Sequence, residues 1–331
     1  MKIPKLAAPV PSAGALLAVL MFAASFPWNC RAQEPGAPYP VIYSTDLYYS
    51  IDDIDDYFDL AVLLKMPGID LKGVILDNHH YPTDGEKAAD KLMSLSGRKV
   101  PVVKGLGGFQ LRSLEDKGFY VDGQEGVELI LKTLAESDRK VALIGVGSMT
   151  DFAAAYLRNP SLWAQKVSAV HVVAGYAGRH DPGYNTMLDP NAFLVIMRSN
   201  LPIVWSPEDW SMWYFPAQQL LVPEKNVLAH FLLQELLYWY LRNDWNAKVH
   251  KDRYEYYGLG RWLWSETAFI HVSRDPHEAE MFDLVPCKVE FDDKGAMSNI
   301  QLGSAHSNIQ VVKANVNGDK LNAFVVSMIN R

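Results

Sequence analysis

Apolar positions along the chain fall into short unbroken blocks separated by longer runs of helical period. Residues 40–45 form such a block and end at Asp46, the pattern of a strand buried on both faces. Residues 54–66 then carry a helical period closed by Pro67 and Gly68. The same alternation predicts strands over 71–76, 100–103, 140–145, 167–174 and 202–205. It predicts helices over 85–96, 123–137, 151–158 and 191–199. Strand-then-helix spacing of this kind predicts an α/β fold, an open and mostly parallel sheet with helices on both faces. In such sheets ligands lie at the carboxyl ends of the strands. After Pro207 the pattern changes to a long helix over 226–241 and an aromatic-rich stretch reaching Trp264. From Leu284 onward, alternating Val, Ile and Phe with Asp-Asp-Lys-Gly and Asn-Gly turns predicts C-terminal β-hairpins. No repeat or linker divides the chain, so residues 33–331 read as a single domain.

Composition sharpens this in two places. The 331 residues are 49% hydrophobic and 21% charged, which excludes disorder, collagen-like repetition and coiled coil as the main architecture. A net charge of -7 argues against nucleic acid as a partner. The first residues read differently from the rest. Lys2 and Lys5 precede an apolar run from Ala15 to Phe26 that is short for a membrane span, and Cys30-Arg31-Ala32 places small residues where a signal peptidase reads. Residues 1–32 are therefore expected to be a signal peptide cleaved before Gln33, giving a periplasmic or secreted protein with no membrane association afterwards. Cleavage removes Lys2, Lys5 and Arg31, leaving 28 basic against 38 acidic residues and a net charge of -10. Cys287 is then alone, without a disulfide partner, and reads as a small buried apolar side chain.

The acidity is concentrated. Asp46, Asp52, Asp53, Asp55, Asp56 and Asp59 fall within fourteen residues that contain no Lys or Arg. Helix capping and the macrodipole account for one or two acids at a helix start. Six together repel, and a hard cation held by carboxylate and carbonyl oxygens relieves that repulsion. The spacing is not that of an EF-hand, and no zinc-type His/Cys set accompanies it.

This segment resembles the N-terminal signature of the inosine–uridine-preferring nucleoside hydrolase family, in which a strand ends in Asp and an Asp-Asp pair opens the first helix. The likeness continues through Gly73 to His80, then Val141 to Ala154 with its Gly-Val-Gly-Ser-Met-Thr-Asp turn. It ends with Val173-Ala-Gly175, Tyr184-Asn185 and Asp189-Pro190-Asn-Ala192. The family fold, a Rossmann-like core, agrees with the alternation of elements. The resemblance implies a Ca²⁺-dependent hydrolase that cleaves the N-glycosidic bond of a ribonucleoside or related glycoside by metal-activated water. On the matching positions, Asp46, Asp56, Val146 through its carbonyl and Glu266 are the implied calcium ligands. Asp46 or a helix-start partner is the implied base. Asp55, His80 and Asn185 are the implied sugar contacts; apart from the resemblance, the aromatic-rich stretch ending at Trp264 reads either as a stacking surface for the base or as core packing. The implied partner is a small-molecule nucleoside; dimers or tetramers are common in the family, but no interface is readable in the sequence.

The departures from the family pattern are specific. The loop between Asp46 and the Asp pair is long and carries Leu47-Tyr48 in place of Pro-Gly, so Asp52 and Asp53 compete with Asp55 and Asp56 for the same roles. His80 stands where the family has asparagine, Gly183 where it has a ribose-binding glutamate, and Ser265 where it has a histidine acid. His79 and His180 sit in loops expected at the active edge, whereas His171, in mid-strand, reads as structural. The runner-up function is a calcium-dependent nucleoside- or sugar-binding protein that has lost turnover, which Gly183 and Ser265 favour. A DxD-type phosphohydrolase fits less well, because Leu47-Tyr48 follow Asp46.

Overall fold

The computed structural model describes residues 37–47, 54–77, 85–106, 110–221, 225–242 and 259–331, all within the compact unit Glu34–Arg331. The signal-like segment lies outside the described residues, as do Asp52, Asp53, His79 and His80.

Buried apolar strands alternate with helices as the sequence pattern predicts. In chain order, β1 (Tyr39–Thr45) leads to α1 (Asp55–Lys65) and β2 (Ile69–Leu76) to α2 (Gly85–Ser96). β3 (Val102–Lys104) leads to α3 (Glu125–Glu136), and β4 (Val141–Gly145) to α4 (Thr150–Arg158) and α5 (Pro160–Lys166). β5 (Val167–Val173) is followed by α6 (Tyr184–Leu188) and α7 (Pro190–Met197), and β6 (Ile203–Ser206) by α8 (Glu208–Ser211). Next come β7 (Trp213–Pro216), α9 (Val227–Arg242), β8 (Gly260–Leu263), α10 (Glu266–Ser273) and α11 (Glu278–Met281). The chain closes with β9 (Leu284–Phe291), β10 (Met297–Leu302), β11 (Ile309–Val312) and α12 (Gly318–Ile329).

Among the described residues nine strands form one sheet in the order β10-β9-β11-β6-β5-β4-β1-β2-β3. From β11 to β3 the pairing is parallel throughout. β9 and β10 add an antiparallel edge, so the predicted C-terminal hairpin is present. β7 and β8 form a separate antiparallel ribbon. Both faces of the sheet are covered, which a parallel sheet requires. Along β1, Val41 and Tyr43 enter one apolar layer with α1, α2, α9, α10 and α12. The intervening Ile42 enters the other, with α3, α4, α5 and α7. The chain moves outward from β1 in one direction through β2 and β3, and from β4 in the other. Their carboxyl ends therefore part into a crevice, the place where such sheets bind ligands.

One turn is not a hairpin. Asn317-Gly318 opens α12: the Asn317 side chain accepts from the Lys320 N–H at 3.2 Å. Asparagine suits a helix cap as well as a two-residue turn, and the following Leu321, Phe324 and Val325 pack into the core at helical spacing. Cys287 is fully buried in β9, and burial pushes its thiol up to about 12. No helix among the described residues is long and apolar enough to cross a membrane.

Candidate active site

The crevice is built from strand ends. Asp46 follows β1, and Asp77 follows β2, held there by its N–H donating to the Thr45 carbonyl at 2.7 Å. β4 ends in Gly145 and passes into Val146-Gly147-Ser148, with the Val146 N–H donating to the Ser44 carbonyl at 2.9 Å. The first turn of α1 brings Asp55 and Asp56 to the same edge. Thr45 fixes their register. Its hydroxyl donates to Asp56 Oδ2 at 2.5 Å and accepts from the Leu47 N–H at 3.1 Å.

Gly147 marks how tightly the carboxylates gather. A Cβ there would lie 2.8 Å from Asp77 Oδ2 and 2.9 Å from Asp46 Oδ1. The Ser148 N–H donates to Asp77 Oδ2 at 2.5 Å. Asp46, Asp56, Asp59, Asp77 and Glu266 are all buried. Burial, with the neighbouring charges of Asp56 and Asp77, raises the Asp46 carboxyl well above its ordinary range. Burial, with Asp55 beside it, pushes Asp56 up to about 8, against the opposing pull of Thr45, Asp46 and Arg261. Deeper in, burial and the charge of Glu266 raise Asp59, while Glu266 itself is pushed to about 8 by burial and by Asp55 and Asp56. Among the described residues the side-chain oxygens of Asp59 and Glu266 have no hydrogen-bond partner. The Ser265 hydroxyl is near enough to lower Asp59 in part, without reaching hydrogen-bonding geometry.

Above this acidic floor lies a cleft of about 390 Å³, lined by Asp55, Asp56, Val146, Asn185, Trp264 and Ser265 among others. Five of the sequence-predicted residues thus face one space. Asp46 and Glu266 are buried and are not among the residues that line the cleft. Asn185 donates through Nδ2 to the carbonyls of Val146 at 2.6 Å and Val173 at 2.9 Å, so the Val146 carbonyl already holds one partner. Asp55 Oδ1 accepts from Arg261 Nη2 at 2.6 Å and Nε at 3.0 Å. The same guanidinium lies over the rings of Trp239 and Trp264, at 4.8 and 5.4 Å from their centroids.

His180 does not join them. It is exposed, with Nδ1 at 2.9 Å from the Met297 carbonyl. His171 is buried in β5 and stacked near His271, and desolvation lowers its pKa well below the ordinary value, as suits a structural imidazole.

Three residues at or near the cleft, Asp77, Glu208 and Arg261, escaped the sequence reading, which took Asp59 only as one of six clustered acids. Asp77 carries the signal that singled out Asp46, an Asp closing an apolar strand run. Asp59 is an acid inside the apolar face of α1, a placement seldom tolerated without a purpose or a partner. Glu208 follows β6 after Pro207 and lines the cleft. Arg261 comes from β8, in the aromatic-rich stretch.

Two features bear on whether a hard cation fits. Asp46, Asp56 and Asp77 bring oxygen donors together in a buried crevice, and Glu266 and Asp59 carry buried carboxylate oxygens without hydrogen-bond partners among the described residues. Among the described residues no three such side chains close into a finished ligand cage. The donors are of the kind that calcium takes, and a shell of this type draws on carbonyls and waters as well as carboxylates.

A parallel sheet with helices on both faces and an acidic cleft at its central switch point has the architecture of a ligand-binding α/β protein. The profile of the inosine-uridine preferring nucleoside hydrolases matches residues 41–324, and the chain belongs to that family. The pyrimidine-specific ribonucleoside hydrolase RihA of Citrobacter koseri is 23% identical over 193 residues, 51% of this chain and 60% of that relative. RihA of an Enterobacter species is 30% identical over 178 residues, 47% of this chain and 56% of the relative. The chain therefore spans less than two thirds of the length of these curated relatives. Among solved structures, the inosine-uridine preferring nucleoside hydrolase of Bacillus anthracis superposes with a TM-score of 0.62 at 17% identity, covering 88% of this chain and 99% of that one. The purine-preferring ribonucleoside hydrolase of Gardnerella vaginalis gives 0.63 at 18% identity, covering 88% and 98%. These likenesses establish the fold.

Proposed function

We propose that the protein hydrolyses the N-glycosidic bond of a ribonucleoside or closely related glycoside, with calcium as its resident ion. The observation that carries this reading is the gathering of buried Asp46, Asp56 and Asp77 at the β1–β4 crevice, with Asp56 lining a cleft shared with Asn185 and Trp264. Membership of the nucleoside hydrolase family supports it.

The division of labour follows from position. Asp46 and Asp56, with the Val146 carbonyl, would hold the ion; when bound, it orients the sugar hydroxyls and eases deprotonation of water. Asp46 or Asp56, each a carboxylate beside the ion, accepts the proton from the attacking water. As the C–N bond breaks, positive charge grows on the sugar ring, and the surrounding carboxylates stabilise it. Asn185 and Asp55 position the sugar, and Trp264 offers the base a flat surface. Arg261, the cation among the cleft-lining residues, stabilises negative charge on the departing base. Ser265 cannot serve as an imidazole acid at neutral pH, and it favours a second reading, a calcium-dependent nucleoside-binding protein without turnover.

Incubating the purified protein with a panel of nucleosides, with calcium or with chelator, and measuring free base and reducing sugar separates the two. Calcium-dependent release is expected. Calcium-dependent binding without cleavage selects the second reading, and no interaction with any nucleoside overturns both.

We further propose export, carried by Lys2, Lys5 and the apolar run Ala15 to Phe26. Amino-terminal sequencing of protein recovered from outside the cytoplasm should begin at Gln33; an intact Met1 there overturns it.

A further inference from the structure

Glu208 opens α8 immediately after β6 and lines the cleft. Oε1 accepts from the N–H groups of Gly175 at 3.1 Å and Asn185 at 3.2 Å, and Oε2 accepts from the Tyr184 N–H at 3.2 Å. A carboxylate has about four lone-pair sites. Three are engaged, by Gly175 in the loop after β5 and by the first two residues of α6, and one remains on a side chain that borders the cleft.

The neighbouring polar groups are partly committed as well. Both amide hydrogens of Asn185 go to backbone carbonyls. Asp55 Oδ1 takes two bonds from Arg261. The adjacent Asp209 braces the same loop, accepting from Ala177 and Gly178 at 2.8 Å each, yet it does not line the cleft. Bracing alone therefore does not bring a side chain to the cleft.

Gly183 completes the picture. It has φ +77°, and a Cβ at that position would lie 2.7 Å from Glu208 Oε1. The space beside the cleft where a side chain at 183 would start is filled by the Glu208 carboxylate. Resting on the nucleosidase reading above, we propose that Glu208 binds a sugar hydroxyl of the substrate, its carboxylate reaching the cleft from β6 while Gly183 leaves room for it. The same three backbone donors that brace the loop hold the carboxylate in place for that hydroxyl.

The test pairs a side chain with a hydroxyl. Glu208→Gln and wild type are compared on a nucleoside and on its 2′-, 3′- and 5′-deoxy analogues, with Asp209→Asn as a loop-bracing control. Loss of a hydrogen bond to a charged group predicts that Glu208→Gln lowers kcat/KM about 10- to 100-fold on the parent. On the analogue lacking the bound hydroxyl the loss should largely vanish. Asp209→Asn should affect all four substrates alike. Because each comparison is a ratio within one preparation, partial unfolding of the variant cancels. An equal loss on the parent and every analogue makes Glu208 a brace only and overturns the proposal, as does no loss at all. If wild type cleaves nothing, the hydrolase reading fails by itself, and the same cycle is read on nucleoside affinity by calorimetry. The pattern across analogues then decides for or against Glu208, and absence of nucleoside binding decides against.

Discussion

Asp56 illustrates how one carboxylate can be both structural and chemical. It accepts the Thr45 hydroxyl, which ties the end of β1 to the start of α1, and it is buried next to Asp46. Asparagine keeps an acceptor oxygen for Thr45 but removes the charge. Asp56→Asn should therefore fold normally while losing calcium affinity on the order of 100-fold, since carboxylate charge sets the affinity of oxygen-rich sites. Calorimetric titration reads this, and unchanged affinity would shift the ligand assignment to Asp52 and Asp53. Gly147 makes the complementary point by steric means. Its substitution by Ala places a methyl 2.8 Å from Asp77 and 2.9 Å from Asp46. Overpacking of this kind destabilises by about 1–3 kcal/mol. We expect Gly147→Ala to lower kcat/KM at least about tenfold through a disturbed carboxylate geometry, with the fold retained by circular dichroism. Full activity would show that the Asp46–Asp77 arrangement does not matter.

At the scale of elements, strand ends were the legible part of the site. Asp46 stands out because an apolar run stops at it, and the helix expected over 85–96 coincides with α2. Glu208 and Arg261 were not legible for a physical reason: their importance arises from tertiary proximity. Arg261 meets Asp55 across 206 positions of sequence, and no local pattern encodes that encounter. The Asn-Gly pair before α12 failed differently, because one dipeptide suits both a hairpin turn and a helix cap. Caps also link elements. Asp189 at the start of α7 accepts from the Ala192 N–H at 2.9 Å, the Thr150 hydroxyl at 2.8 Å and the Leu111 N–H at 2.9 Å. Asp189→Ala removes a helix cap and takes the acceptor from the buried Leu111 N–H, while the Thr150 hydroxyl keeps Ser148 at 2.9 Å. It should destabilise the protein by about 2–4 kcal/mol in denaturant melts; a change below about 0.5 kcal/mol would contradict this role.

For the whole molecule, buried acids make stability depend on pH in an unusual direction. Burial with the charge of Asp77 pushes Asp151 to about 8, despite the Leu106 N–H and Arg158. Between about pH 4 and pH 8 the folded protein keeps this proton while the unfolded chain releases it. The folded state then binds more protons, so stability falls as pH rises through that window, by at most about 1.4 kcal/mol per unit for one group. Thermal melts in chelator should show a Tm that drops from pH 5 to pH 8, with the slope reduced in Asp151→Asn. A Tm that climbs over this range would show that Asp151 stays ionised when folded. Calcium should raise Tm in proportion to the logarithm of its excess over Kd, as for any ligand that binds only the folded state.

The switch point that holds the site also governs how the chain reaches its final form. β1 pairs with β4, bringing Val41 against Ala142, about a hundred residues later. β11 pairs with β6 at a similar remove, Ile309 against Ile203. The centre of the sheet cannot close until nearly half the chain has been made, and its far edge must await the last few dozen residues. Pairings this distant slow folding. A nascent chain therefore stays open for much of its synthesis, with no finished sheet to unravel if it is threaded through a narrow channel first.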